Sequence, residues 1–253
     1  VETHLAILQE GARQLGFTLT PRQLDQFQLY YETLVDWNNR INLTAITDYD
    51  LVQVRHFLDS LTVAVALLSE LREAQPSLEA PPPTFRLIDI GTGAGFPGVP
   101  LKILWPHISL TLNDSVGKKT TFLQELAQAL ALENVQVVTA RAEELGQDKL
   151  HRQRYDLVTA RAVSALPVLS EYCLPLAKVG GLMLAPKKGD ISPELSEGKH
   201  AAKLLGGRLG KSYPFTLPGD EEPRTVVAVR KVASTPPGYP RRVGLAKTKP
   251  LGK

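Results

Sequence analysis

Cysteine is almost missing from these 253 residues: Cys173 stands alone. One thiol forms no internal disulfide and supplies no cysteine-based zinc site. Long apolar runs are missing as well. The longest, Leu61 to Leu68, contains a threonine and falls far short of the roughly 20 residues that span a bilayer. Glu2 and Glu10 are out of place in a signal peptide. Asn42-Leu43-Thr44 has the form of a glycosylation acceptor, which carries no meaning without secretion. These absences set the expectation of a soluble cytoplasmic protein with no membrane partner. Acid is absent from one region only: from Pro223 onward there are eight basic residues and no Asp or Glu. Residues 1–85 hold 5 Lys/Arg against 11 Asp/Glu, whereas residues 86–253 hold 24 against 15. That asymmetry points the C-terminal part toward a polyanion, a solvated basic tail being the plainer alternative.

What is present is organised around Leu87 to Ile103. A short run, apolar except for Asp89, leads into glycines at 91, 93, 95 and 98, and apolar spacing resumes at Val99, Leu101 and Ile103. This reads as a buried strand, a glycine loop and a helix, with Pro97 in the helix's first turn. Gly93, Gly95 and Gly98 satisfy the dinucleotide pattern G-x-G-x-x-G. Asp89 with Gly91, Gly93 and Gly95 satisfies D-x-G-x-G-x-G, the pattern of S-adenosylmethionine (AdoMet) methyltransferases. A carboxylate at the strand end repels a pyrophosphate but suits a sulfonium and an amino group. AdoMet is the favoured ligand.

Around that stretch the periodicity predicts two parts and a tail. Residues 1–80 form a helical extension: a helix to about residue 15, a second from the Thr20-Pro21 cap to about Trp37, and more helix from Asp48 to Leu71. Within the last, His56 and Asp59 lie one turn apart, an ion pair being possible; Asn42 and His56 read as packing and capping residues. Pro81-Pro82-Pro83 forms a stiff linker. Residues 86–232 alternate strand and helix, with strands at 86–90, 109–113, 135–139, 156–159, 182–185, about 208–216 and about 225–232, and Gly180-Gly181 as the turn into the fifth. This is an α/β fold, a Rossmann-like sheet of seven mostly parallel strands. Residues 233–253 are a basic, proline-rich tail.

In such a sheet the ligand lies beyond the carboxyl ends of the strands. Collected there are Asp89 with the glycine loop, Asp114, Ala142-Glu143, Arg161 and Lys187-Lys188. Asp114 is placed to accept ribose hydroxyls, and Glu143, or the Ala142-Glu143 backbone, to meet the adenine amino group. Each acid alone is as readily a helix N-terminal carboxylate. Gly117-Lys118-Lys119-Thr120 is no phosphate loop, because the required upstream glycine is Leu112. No N/D-P-P-Y motif and no Pro-Cys nucleophile follows strand 4, so amino-nitrogen and pyrimidine-carbon methylation lack their usual groups; Cys173 reads as core.

At this level of detail the chain resembles the family of ribosomal small-subunit RNA methyltransferase G, also called glucose-inhibited division protein B. The resemblance runs through Trp37-Asn38, Ile41-Asn42-Leu43-Thr44 and His56-Phe57-Leu58-Asp59-Ser60-Leu61. It is strongest from Asp89 to Lys102, and continues through Asp114-Ser115, Lys118-Lys119, Phe122-Leu123, Arg141-Ala142-Glu143, Ala160-Arg161-Ala162 and Pro236 to Arg242. It implies a class I AdoMet-dependent methyltransferase acting on N7 of a guanine in 16S ribosomal RNA, with that RNA or the small subunit as partner and no obligate protein partner. Its cofactor contacts carry over to Gly91, Phe96, Asp114, Ser115, Val116, Ala142, Glu143 and Arg161, to which the loop motif adds Asp89 and Gly93. Arg161 is the candidate catalytic residue, holding substrate phosphate or base or bracing the methionine end; a salt bridge to a nearby acid is the plainer role. Where the family has one lysine before glycine after strand 5, this chain has Lys187-Lys188-Gly189. Lys187, Lys188, Arg241 and Arg242 are the expected RNA contacts, although Pro236, Pro237 and Tyr239 would equally pin the tail to the core. The rivals are a methyltransferase of another substrate and a non-catalytic RNA-binding factor that keeps AdoMet.

Overall fold

A computed structural model describes residues 5–252, so Glu2 lies outside the described residues. Helices α1 (Ala6–Gln14) and α2 (Pro21–Asn38) come first. Then α3 (Tyr49–Val52), a π-helical turn (Gln53–Leu58) and α4 (Asp59–Arg72) run on as one rod. The α/β part follows as β1 (Arg86–Ile90), α5 (Gly98–Leu104), β2 (Ser109–Asp114), α6 (Gly117–Ala129), β3 (Val135–Thr139), α7 (Ala142–Gln147), β4 (Tyr155–Thr159), α8 (Leu166–Cys173), β5 (Ala177–Lys188), α9 (Ser192–Leu204), β6 (Gly207–Leu217) and β7 (Asp220–Lys231). A short α10 (Leu245–Thr248) lies in the tail.

The start of α2 is written locally. Thr20 Oγ1 accepts from Gln23 N at 3.3 Å while Gln23 Oε1 accepts from Thr20 N at 2.8 Å, and Pro21 sits where its missing N–H is harmless. Asp48 Oδ1 caps α3 by accepting from Leu51 N. The rod Tyr49–Arg72 is, by length and composition, apolar enough to cross a membrane; here 83% of its most apolar window is buried inside the protein, as a core helix.

The seven strands form one sheet in the order β3-β2-β1-β4-β5-β7-β6. The first five are parallel, and β7 inserts antiparallel between β5 and β6. Because side chains alternate across a strand, each strand feeds two cores. Leu87, Leu110, Leu112, Leu184 and Ala228 face one side, where they join Phe27, Tyr30, Phe57 and Leu61 of the N-terminal helices in a continuous cluster. Ile88, Ile90, Val158, Met183 and Val229 face the other, against Leu169 of α8 and Ala246 of α10. The N-terminal helices therefore share a core with the sheet.

One expected boundary moves. Gly180-Gly181 is not a turn before strand 5 but an irregularity inside it: Tyr155 pairs with Ala177, and the register then jumps to Leu157 with Leu182. Gly180 has φ +90°, and a Cβ on Gly181 would sit 2.9 Å from the Asp156 carbonyl oxygen, so glycine permits the close backbone approach. The strand order reverses between β1 and β4, where Asp89 is in register with Thr159. The crevice beyond those two strand ends is where such a sheet binds ligands.

Candidate active site

The glycine loop leaves β1 and is fastened from three sides. Thr92 N donates to Asn113 O of β2 at 3.0 Å. Asp114 Oδ2 accepts from Gly93 N at 3.1 Å while its Oδ1 accepts from Val116 N at 3.0 Å. Tyr30, reaching in from α2, donates its hydroxyl to Ala94 O at 2.6 Å. Gly93 has φ +60° with nothing within 4 Å of where a Cβ would stand, so this part of the loop faces open space that a ligand can fill. Alternation along β1 puts Asp89 on the same side as Leu87, under the start of α5. There its Oδ2 accepts from Thr92 Oγ1 (2.6 Å) and Gly98 N (2.8 Å), and Oδ1 is buried with no partner among the described residues. Asp89 has no exposed surface, and burial lifts its carboxyl from 3.8 to about 7. The structure thus places Asp89 behind the loop, as its clamp, rather than open to the crevice.

In front of the loop lies a cavity of about 460 Å³, a size that suits a small-molecule ligand. Among its lining residues are Gly91, Asp114, Ser115, Val116, Ala142 and Glu143, six of the residues expected to hold cofactor. Val116 is 45% exposed there, an apolar wall with nothing over it. The chemistry fits AdoMet: the loop's Gly91 backbone, a carboxylate after β2 for a diol, and a second carboxylate with an apolar wall for a base carrying an amino group. Tyr172 of α8 and Val243, Gly244 and Lys247 of the tail complete the lining.

A second cavity, about 260 Å³, opens beside the first. Arg55, His56, Asp59, Arg161, Lys187 and Lys188 line it, and Ala162 lines both cavities. Arg161 sits at the junction. Its Nη1 donates to Asp59 Oδ2 at 2.7 Å and to Arg55 O at 3.2 Å, and its guanidinium lies 4.9 Å over the Phe96 ring. Phe96 is in turn stacked between His56 (4.5 Å) and Tyr30 (5.1 Å). His56 Nε2 lies 2.8 Å from Thr44 Oγ1; burial, with Arg161 adding to it, lowers its pKa to about 3. Neutral His56 makes no ion pair with Asp59. The acid pairs instead with Arg161 and with Arg224, whose Nε lies 3.0 Å from Asp59 Oδ1 without hydrogen-bond alignment. Arg224 Nη2 donates to Asp220 at 2.5 Å, and Arg55 pairs with Asp220 at 3.1 Å. An ionic chain from the N-terminal rod through β7 to the end of β4 thus fixes Arg161.

The four expected RNA contacts divide. Lys187 Nζ donates to Ser164 O (2.9 Å) and Glu194 Oε2 (3.0 Å). Arg241 forks onto buried Glu171, with Nε at 2.8 Å and Nη2 at 2.6 Å. Among the described residues, Lys188 is 45% exposed with one pairing, 3.5 Å to Glu222, and Arg242 is exposed with no ion pair. Sequence reasoning missed Asp59 as Arg161's partner, Arg224, Tyr30 and the cavity-lining tail. Their partners are remote in the chain, and only the oddity of charges inside buried stretches marked the first two.

A cavity lined by these strand ends and a glycine loop agrees with what comparison finds. A chain of 16S rRNA (adenine(1408)-N(1))-methyltransferase from Catenulisporales acidiphilia aligns with TM-score 0.50 at 16% identity, over 66% of this chain and 92% of that one, a likeness that shows the class I methyltransferase fold. Two proteins named ribosomal RNA small subunit methyltransferase G are far more similar in sequence. That of Roseiflexus sp. (strain RS-1) is 48% identical over 97% of this chain and 99% of its own, and that of Bacillus subtilis (strain 168) 44% identical over 95% and 96%. The family model described as rRNA small subunit methyltransferase G matches residues 23–216, spanning the rod, the glycine loop, Arg161 and both cavities' strand ends, so this chain belongs to that family.

Proposed function

We propose that this protein methylates N7 of a guanine in 16S ribosomal RNA, with AdoMet as methyl donor. The supporting observation is the pair of cavities that meet at Ala162, one suited to AdoMet and one rimmed by Arg55, Arg161, Lys187 and Lys188. The relatives' name supplies the substrate class: ribosomal RNA of the small subunit.

Bound AdoMet supplies a methyl group on a sulfonium, already activated toward a lone pair. Guanine N7 offers such a lone pair with no proton to remove, so the site needs alignment rather than a general base. The side chains around the junction answer that need. Arg161 is held at one edge by Asp59 and on its face by Phe96, and His56 stays neutral, adding no second positive charge beside it. Arg161 positions the incoming nucleotide at the junction, Lys188 meets a flanking phosphate at the rim, and Lys187 holds the Ser164 carbonyl and so shapes the wall.

Incubating the protein with labelled AdoMet and either 16S RNA, small subunits or a protein extract tests the substrate. Borohydride and aniline treatment of the modified RNA then tests the atom, because an N7-methylated guanine is cleaved there. Methyl incorporation without an enzyme-dependent break assigns another atom; incorporation into protein alone assigns another substrate; binding without incorporation assigns a non-catalytic factor.

A further inference from the structure

The tail after β7 is seated on α7 and α8, and Val243, Gly244 and Lys247 of it line the first cavity. Arg152 donates to Thr235 O (2.9 Å), Pro236 O (3.1 Å) and Tyr239 O (2.7 Å), gripping three carbonyls of the tail with one guanidinium. Gln147 Nε2 donates to Pro240 O at 2.7 Å. Arg241 donates to Glu171 through its backbone N–H as well as its side chain, and to Lys249 O at 2.8 Å, closing the segment that follows into a loop. A Cβ on Gly146 would meet Pro240 at 2.6 Å, so the tail lies directly on α7. Ala246 is buried in the core beneath.

What that seating presents to the cavity is specific. Gly244 N donates to Glu143 Oε1 at 3.0 Å, which leaves Oε2 of the same carboxylate without a partner among the described residues. Val243 stands 48% exposed on the lining, and Val116, which lines the same cavity, stands 45% exposed. About half of each valine's surface is uncovered. Two uncovered apolar side chains and one spare carboxylate oxygen match a flat heteroaromatic ring with an exocyclic amino group.

We infer that the C-terminal strap, residues 235–249, is a structural wall of the cofactor site, in which Val243 covers the adenine of AdoMet and the Arg241–Glu171 pair is the latch that holds it there. This rests on the proposal that the cavity takes AdoMet. Because the contact is to adenine, the strap contributes equally to binding of any adenosine-bearing ligand and not to recognition of the methionine end. The basic tail thus serves the cofactor first, and its role toward RNA narrows to Arg242.

Titration calorimetry of the full chain with S-adenosylhomocysteine and with adenosine tests this. Each valine methyl covered by the ring corresponds to about fourfold in affinity, so Val243→Ala lowers affinity for both ligands severalfold. Val243→Asp, which sets a charge against the ring, lowers both tenfold or more. Val243 is half exposed, so neither change disturbs the core, and circular dichroism checks that. Arg241→Gln, which releases the latch, weakens both ligands in the same proportion to each other. Unchanged affinity of Val243→Asp beside a binding wild type overturns the strap and leaves the site reading intact. Loss for S-adenosylhomocysteine with adenosine unaffected also overturns it, placing Val243 at the other end of the ligand. A wild type that binds neither ligand overturns the assignment of the cavity itself, and the strap with it.

Discussion

Replacing Asp59 with alanine removes the acid that pairs with both buried Arg224 and partly buried Arg161. Asp59 is 3% exposed, and Arg161 and Arg224 reach its two oxygens at 2.7 and 3.0 Å. Breaking a buried ion pair from one side costs about 3–5 kcal/mol, because the remaining charge stays desolvated. Arg224 keeps Asp220 and Glu222 at 2.5 and 2.9 Å, whereas Arg161 keeps only a backbone carbonyl, neutral His56 and the face of Phe96. The loss therefore falls on Arg161, whose side chain is 14% exposed and can draw in some water. About 3 kcal/mol is the expected cost, equivalent to a Tm lowered by roughly 6–12 °C for a domain of this size. Urea unfolding of wild type, Asp59→Ala, Arg161→Ala and the double variant closes the cycle. The double variant should be more stable than the summed singles predict, with a coupling of at least about 1.5 kcal/mol. Asp59→Ala within about 0.5 kcal/mol of wild type, or a coupling near zero, would show that Arg161 is not held by this acid.

Three further outcomes follow from the site. Gly93→Val places a β-branched residue at φ +60° in the open space before the loop; AdoMet binding by calorimetry should vanish while circular dichroism stays native, at a folding cost of about 1–3 kcal/mol. Asp89 stays protonated to about pH 7 when folded but ionises near 3.8 when unfolded, so the unfolded chain binds fewer protons in that window and stability falls as pH rises from about 4 to about 7. His56, held neutral down to about 3, works in the opposite sense, losing stability as pH falls through 6.5. The difference between wild type and Asp89→Asn isolates the first: the variant should gain on wild type steadily from pH 4 to 7, and parallel curves would contradict the burial of this carboxyl. Removing Lys188 and Arg242 together should weaken RNA binding and flatten its log–log salt slope by about 0.7–0.9 for each phosphate no longer neutralised, leaving AdoMet affinity unchanged. An unchanged slope would remove both from the RNA interface.

The alternation of strand and helix was legible because buried parallel strands are short apolar runs punctuated by glycine, and β1 to β4 appear within a residue of where the sequence puts them. Strand 5 begins earlier than its glycine pair suggests, since such a pair signals a turn whether the chain reverses there or merely kinks within a ladder. The loop motif and the strand-end acids were legible as residues but not as roles. Asp89 is the instructive case: its parity with Leu87 along β1 assigns it to the α5 side, which makes it a clamp. The pairing of Asp59 with Arg161 and Arg224 was not legible, because ions brought together from the rod, β4 and β7 leave no spacing in the chain. For the same reason nothing local marked residues 243–247 as part of the cavity.

The π-helical turn at Gln53–Leu58 makes chain length itself a working part of this protein. An α-helix advances about 100° and 1.5 Å per residue, so one residue more or fewer swings everything beyond it by about that angle. A π turn absorbs an extra residue locally instead. At its first residue, Gln53 Oε1 accepts from Leu8 N and fastens the rod to α1; downstream, Leu61 and Ala64 lock the phase of α4 in the sheet's core. Arg55 and His56 ride on the widened turn between these two anchors. Deleting one residue from 54–58 would return a regular α-helix with both anchors still in phase, and the change would fall on Arg55 and His56, which lose the widened turn that carries them. Such a deletion should therefore leave the fold nearly as stable as before and disturb the cavity that Arg55 and His56 line.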